Sequence, residues 1–138
     1  MNIILTVLIS VSISPTISSD DPRKDAESFL IVVDKYIKSR NYTIFDDDFV
    51  CINDDGEKIS REKSIGYLEK GDLYHGWRSD EHLQEMVSSS YFSQDGKLVI
   101  PIITDGQFDT LIVANSNPNF EGGYKLYLVD LRDNTPFK

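Results

Sequence analysis

The sequence predicts an α+β fold, with a long first helix and a short second helix packed on an antiparallel sheet. Three observations lead there. Residues 22–39 carry apolar side chains at helical spacing. Residues 60–70 read as a second, Ser-capped helix. From about residue 82 onward, apolar and β-branched runs alternate with Asp-Gly and Asn-rich turns, the pattern of consecutive antiparallel strands. At 138 residues the chain has the length of one domain, and no internal repeat divides it.

Taken in order, Asp21-Pro22 supplies an N-cap followed by proline at the first helical position. Ala26, Phe29, Leu30, Val33, Tyr36 and Ile37 then recur at i, i+3, i+4 and i+7, while Asp25, Glu27, Lys35 and Lys38 fall mostly on the other side. Arg40-Asn41 ends this helix, and a short turn holds Ile44 and Phe45. Phe49-Val50-Cys51-Ile52 reads as a short strand and Asn53-Asp54-Asp55-Gly56 as a turn. Ser60 caps the second helix, Glu62 sits in its first turn, and Gly71 is its natural stop. Residues 72–80 fit a loop or a short strand. Residues 82–92 read as a strand on the strength of Val87, Tyr91 and Phe92. A hairpin turn at Ser93-Gln94-Asp95-Gly96 leads to a strand over 97–104, in which Pro101 demands an edge or a bulge. Strands over 109–114 and 124–131 follow, and the polar tail 132–138 is expected to fray.

Composition narrows the function classes. The chain has 14 basic and 23 acidic residues, a formal charge of −9, with 40% apolar and 27% charged residues. These are the proportions of a globular protein rather than a disordered one. The acidity argues against nucleic acid and anionic membrane as partners, because both require a basic footprint.

The first segment, MNIILTVLISVSI, is uncharged and apolar from Ile3 to Ile13, well short of the roughly 20 residues of a spanning helix. Pro15 breaks it, and small residues follow. This is the pattern of a secretory signal peptide over 1–18, cleaved after Ser18, leaving one domain over 19–138 and a secreted, extracellular product. The same Ile/Val/Ser alternation also suits a buried strand. Cys51 is the only cysteine, so no intrachain disulfide forms, and its apolar neighbours place it in a buried strand. Asn41-Tyr42-Thr43 is the single N-glycosylation sequon.

The helix AESFLIVVDKYIKSRNY, the strand DDFVCIN, the turn and helix NDDGEKISREKSIGYLEKG and the closing strand GYKLYLVDL stand in an order that resembles the NTF2-like superfamily. The likeness runs from Ala26 to Leu131, and its most specific part is the strand, acidic-Gly turn and Ser-capped helix between the first helix and the sheet. A cystatin-like helix on a sheet is the nearest rival but leaves the second helix unexplained. The resemblance implies a curved antiparallel sheet wrapped around the first helix as a cone. It implies Phe29, Val33 and Tyr36 as the helix side of the lining, and Met86 and Tyr127 as the sheet side. The same residues equally suit a filled core. Members of this superfamily include isomerases, dehydratases and non-enzymatic dimers, so the fold leaves the function open.

Two functional readings follow. One is a non-enzymatic binding domain, taking a small apolar ligand in the cone or a protein across the sheet, with a homodimer through the outer sheet face. The other is a small enzyme pairing a Tyr or His with a carboxylate of raised pKa. With seven tyrosines and 23 acids, a Tyr–carboxylate pair carries no information, so His75 and Tyr36 are the candidates to test first. His82, beside Asp80 and Glu81, reads as a solvated surface residue. Trp77 and Tyr74 suit a contact patch or a cap on the open end of the core. Cys51 to Glu62 places Asn53, Asp55, Gly56 and Glu62 as in a calcium loop, but Cys51 and Lys58 break that pattern, and the segment reads as an acidic turn. No zinc spacing or phosphate loop is present, and no cofactor is expected.

Overall fold

The computed structural model describes residues 21–70 and 79–132. The elements, in chain order, are α1 (Pro22–Lys38), a 3₁₀ turn (Tyr42–Ile44), β1 (Phe45–Ile52), β2 (Lys58–Ser60), α2 (Arg61–Glu69), α3 (Asp80–Met86), β3 (Tyr91–Phe92), β4 (Leu98–Thr104), β5 (Gln107–Ser116), a 3₁₀ turn (Glu121–Gly123) and β6 (Tyr124–Asp130). The six strands form one open sheet in the order β2-β1-β6-β5-β4-β3. The segment 1–18 read as a signal peptide, His75, Tyr74, Trp77 and the tail beyond Arg132 lie outside the described residues.

Helix α1 forms for the reasons its sequence supplies. The Asp21 side chain accepts from the Arg23 N–H at 3.0 Å, and Pro22 occupies the first turn, where its missing N–H costs nothing. Its apolar stripe, Ala26, Phe29, Leu30 and Val33, is buried in a single core cluster. At the other end Arg40 adopts the left-handed conformation, φ 58. Its N–H donates to the Ile37 carbonyl at 3.0 Å, and the Asn41 N–H donates to the Tyr36 carbonyl at 2.8 Å. This is a Schellman cap built on arginine where glycine is the usual residue.

The first strand is longer than the sequence suggests. It begins at Phe45 and runs through the acidic triplet, which the sheet accommodates as an irregularity between Phe45 and Val50. There the Asp48 N–H donates to Asp46 Oδ1 at 3.0 Å, and Asn115 Nδ2 on β5 donates to Asp46 Oδ2 at 3.2 Å. The turn at residues 53–57 closes a hairpin onto β2, so the stretch weighed as a calcium loop is a β-hairpin leading into α2. Ser60 caps α2, accepting from the Lys63 N–H at 3.2 Å.

Two expectations are overturned. Residues 82–92 are not one strand: 80–86 form α3, and only Tyr91 and Phe92 enter the sheet. Ser79 caps α3 by accepting from the His82 N–H, Asp80 and Glu81 favour its N-terminal dipole, and Leu83, Met86 and Val87 bury one face at helical spacing. The sheet is mixed rather than antiparallel, because β1 pairs parallel with β6. The hairpin uses the outer edge of β1, leaving its inner edge to a strand that arrives from the far end of the chain.

The constraint on Pro101 is met as expected. β3 pairs β4 only at Val99 and Leu98, so on that side Pro101 faces an open edge, and a register shift follows between Ile102 and Ile103. Gly122, at φ 79, lets the β5–β6 turn press on α1; a Cβ there would stand 3.1 Å from Val32 Cγ2.

All three helices contribute to the same core cluster, so all lie on one face of the sheet. Phe29 is fully buried there, its ring edge-on to Tyr124 with centroids 6.0 Å apart. Phe29→Ala is expected to cost about 3–5 kcal/mol, read from urea unfolding. Arg40→Gly, which relieves the left-handed strain at the helix cap, should raise stability by about 0.5–1 kcal/mol in the same assay; an unchanged or lowered midpoint would show that arginine costs nothing there.

Candidate functional site

The inner face of the sheet is spent on the core. Two rows show this in register: Phe92–Leu98–Ala114–Leu126–Phe45, and Ile59–Cys51–Val129–Ile112–Ile100. Successive side chains in a strand point to opposite faces, so the residues between them form the outer face. That row is Val50–Leu128–Val113–Val99–Tyr91, continuous across five strands, and none of its members belongs to the core cluster. Val50, Leu128 and Val113 are half-buried, Val99 is 6% exposed between its neighbours, and Tyr91 is 48% exposed at the edge. A second row places Ile52, Asp130, Leu111 and Pro101 beside it, with Ile52 and Leu111 half-buried and Asp130 and Pro101 buried. Among the described residues no helix covers this face.

The apolar rows have polar ends. Asp130 is buried on the outer face, and Arg132 folds back on it, with Nη2–Oδ2 at 2.6 Å and Nε–Oδ1 at 3.0 Å. The carboxylate's bidentate grip raises the Arg132 pKa above its ordinary value and neutralises the one carboxylate in these rows. At the opposite end, a bulge between Val113 and Ala114 leaves Tyr127 as the extra residue of β6, and Lys97 Nζ stands 5.2 Å from its ring centre. Lys97 also donates to Asp95 Oδ2 at 2.6 Å, and the Ser93 hydroxyl donates to Asp95 Oδ1. The Lys97 ammonium first, then the Ser93 hydroxyl, holds the Asp95 carboxyl down to about 2.

The residues singled out from the sequence separate in the structure. Phe29, Val33 and Met86 are buried together in the core, Met86 on α3 rather than on the sheet. Tyr127 lies outside that cluster, beneath Lys97. Tyr36 packs partly on the core, tilted against Phe120 with ring centres 5.1 Å apart, and donates to Glu121 Oε1 at 3.0 Å. Lys35 donates to the other oxygen of that carboxylate at 2.8 Å. This exposed pairing straps the β5–β6 turn to α1. It also pulls the Glu121 pKa down, through Lys35 first and Tyr36 second, away from neutrality, where a general acid works. Cys51 is buried in β1, and burial, aided by nearby Asp130, pushes its thiol up.

Sequence reasoning missed two features. One is a buried Tyr–carboxylate pair, Tyr124 donating to Asp25 Oδ2 at 2.7 Å, joining α1 to β6 across the core. Nothing in the sequence distinguishes this pair from the others available. The other is the outer face, and its signal was present: LVIPII, TLIVA and KLYLV are apolar at both parities, as strands buried on two faces must be. Between the start of α1 and the C-terminal end of α3 an open cleft of about 310 Å³ is lined by Arg23, Lys24, Glu27, Gln84 and Ser88, among others, a mixed-charge surface unsuited to an apolar ligand. Among the described residues no group of three or more His, Cys, Asp or Glu is placed to hold a metal ion, and no helix is long and apolar enough to cross a membrane.

The fold and this face define an α+β domain with three helices on one side of an open six-stranded mixed sheet. No protein-family model matches the chain, and no curated protein or solved structure matches it significantly.

A carboxyl titration checks the polar end of the face. Asp95 has a lowered folded pKa, so its contribution to stability is full above its ordinary value of 3.8 and is lost as pH falls towards about 2. In Lys97→Met the Asp95 midpoint, followed by NMR, is expected to rise towards 3.8; an unmoved midpoint would assign the shift to Ser93.

Proposed function

We propose that this protein is a secreted, non-catalytic interaction domain of NTF2-like type, and that it binds a second copy of itself through the outer face of the sheet. The observation that carries this reading is the in-register apolar row Val50–Leu128–Val113–Val99–Tyr91, which no described helix covers. A contiguous apolar row with Tyr91 exposed at its edge and Val50, Leu128 and Val113 half-buried supports an interaction site. The charge at this face is compatible with a second copy as its occupant. Two chains of −9 repel one another, and they associate best through a surface with no net charge. The two rows qualify, since Arg132 neutralises their one carboxylate. A two-fold contact would place each copy's row against the other's, with the Arg132–Asp130 grip and the Lys97–Asp95 corner at its rim.

The NTF2-like reading is supported by the element order, a helix, then a hairpin and a capped helix, then the sheet that the first helix covers. Phe29, Val33 and Met86, proposed for the lining of a cone, are buried in the core cluster, which favours a filled interior over a ligand chamber. The enzyme alternative lacks a carboxylate of raised pKa at Tyr36, where Glu121 is lowered.

Leu128→Lys and Val113→Glu separate these readings. Each places a charge in the middle of the outer row without touching the core. The expected result is a wild-type dimer by sedimentation equilibrium, at least tenfold weaker association in either variant, and a near-wild-type unfolding midpoint for the isolated chain. A wild-type monomer that both variants leave unchanged would remove self-association as the role of this face.

A further inference from the structure

The Asn41-Tyr42-Thr43 segment is held in a geometry that the sequence alone does not reveal. Its residues alternate: Asn41 and Thr43 are exposed, while Tyr42 packs against the core and Ile44 is fully buried. The backbone is pinned from two sides. The Asn41 N–H closes the Schellman cap of α1 on the Tyr36 carbonyl at 2.8 Å, and Arg61 Nη2 donates to the Tyr42 carbonyl at 3.0 Å. Within this frame, Asn41 Oδ1 accepts from both the Thr43 N–H at 3.2 Å and the Thr43 hydroxyl at 2.6 Å.

Both donors engage the amide oxygen rather than Nδ2, and Asn41 is exposed, so the folded domain has room for a group carried on Nδ2. The segment stands at the C-terminal end of α1, so the exposed Asn41 belongs to the helix layer rather than to the Val50–Tyr91 row.

We infer that Asn41 carries an N-linked glycan, and that the glycan cloaks the helix side of the domain while leaving the outer sheet face open for its partner. This rests on the secreted reading given above. The donor is a polyprenyl-pyrophosphate-linked oligosaccharide, the substrate class of N-glycosylation. Asn41 Nδ2 forms the new bond to the anomeric carbon of the sugar, and the bond from that carbon to the pyrophosphate oxygen breaks. The pyrophosphate departs with the electron pair, and the Nδ2 proton passes to a base of the transferring enzyme. No oxidant or reductant takes part.

The test is expression of the full chain in mammalian cells, followed by treatment with peptide N-glycosidase and intact-mass measurement. The wild type and Thr43→Ser should lose one glycan's mass on treatment, with Asn41 converted to aspartate, whereas Asn41→Gln and Thr43→Ala should show no loss. The wild-type measurement decides the matter even where a variant folds poorly. A parallel chain carrying a strong heterologous leader separates the two ways of failing. An unmodified native chain beside a modified leader-driven one would overturn the proposal through its compartment, and with it the secreted reading. An unmodified Asn41 in both would overturn the site itself. Native mass before and after glycan removal should show the same oligomer; dissociation of a bare-chain dimer when the glycan is present would refute its placement away from the contact face.

Discussion

One-sided packing of α1 is the constraint on which the rest depends. The helix presents a single apolar stripe, and Phe29 at its centre must meet a surface wide enough to bury it. Only the inner face of the sheet is that wide, so Leu98, Ala114 and Leu126 take their places beneath it, and the strand register follows. The buried Asp25–Tyr124 hydrogen bond fixes where along β6 the helix begins. Gly122 and the Tyr36–Glu121–Lys35 strap fix the other end. Because α2 and α3 add Ser64, Leu83 and Met86 to the same side, the opposite face is left with its own apolar rows and no helix to cover them among the described residues.

That asymmetry connects packing to function. A sheet covered on one side usually turns polar residues outward. Here the outward residues of the central strands are Val50, Leu128, Val113 and Val99, bounded at one end by Asp130 with Arg132 and at the other by Lys97 with Asp95. The charged groups are not absent but paired, each within a residue or two of its partner in sequence. An apolar centre with short-range ion pairs at its ends is what the proposed self-contact would use.

Local signals in the sequence were readable, and non-local ones were not. Helix α1 was legible because cap, proline and stripe agree, and α2 because Ser60 is followed by a helical run. Helix α3 was misread. Val87, Tyr91 and Phe92 have strand preferences, whereas the Ser79 cap and the acids behind it, unused in the sequence reading, are the better guide to a short helix packed on a core. The β-strand that begins at Phe45 runs through three aspartates because Asn115, distant in sequence, holds the first of them. No local pattern could have announced the parallel pairing of β1 with β6, since it depends on which strand edges the hairpin leaves free. The outer face was legible in the unbroken apolar strands, but only once strand parity was counted on both sides.

The placement of β6 has a consequence for how the chain is made. It is the last strand in sequence, yet it sits inside the sheet, between β1 and β5. During synthesis the β1–β2 hairpin therefore emerges with an unsatisfied strand edge and keeps it until Tyr124–Asp130 has left the ribosome. Until it pairs, β1 keeps an open edge at the seam between β1 and β5, and an open edge is a template for another chain. The last described strand is the keystone of the sheet: it joins the β1–β2 hairpin to the β3–β5 strands, and only its arrival closes that seam.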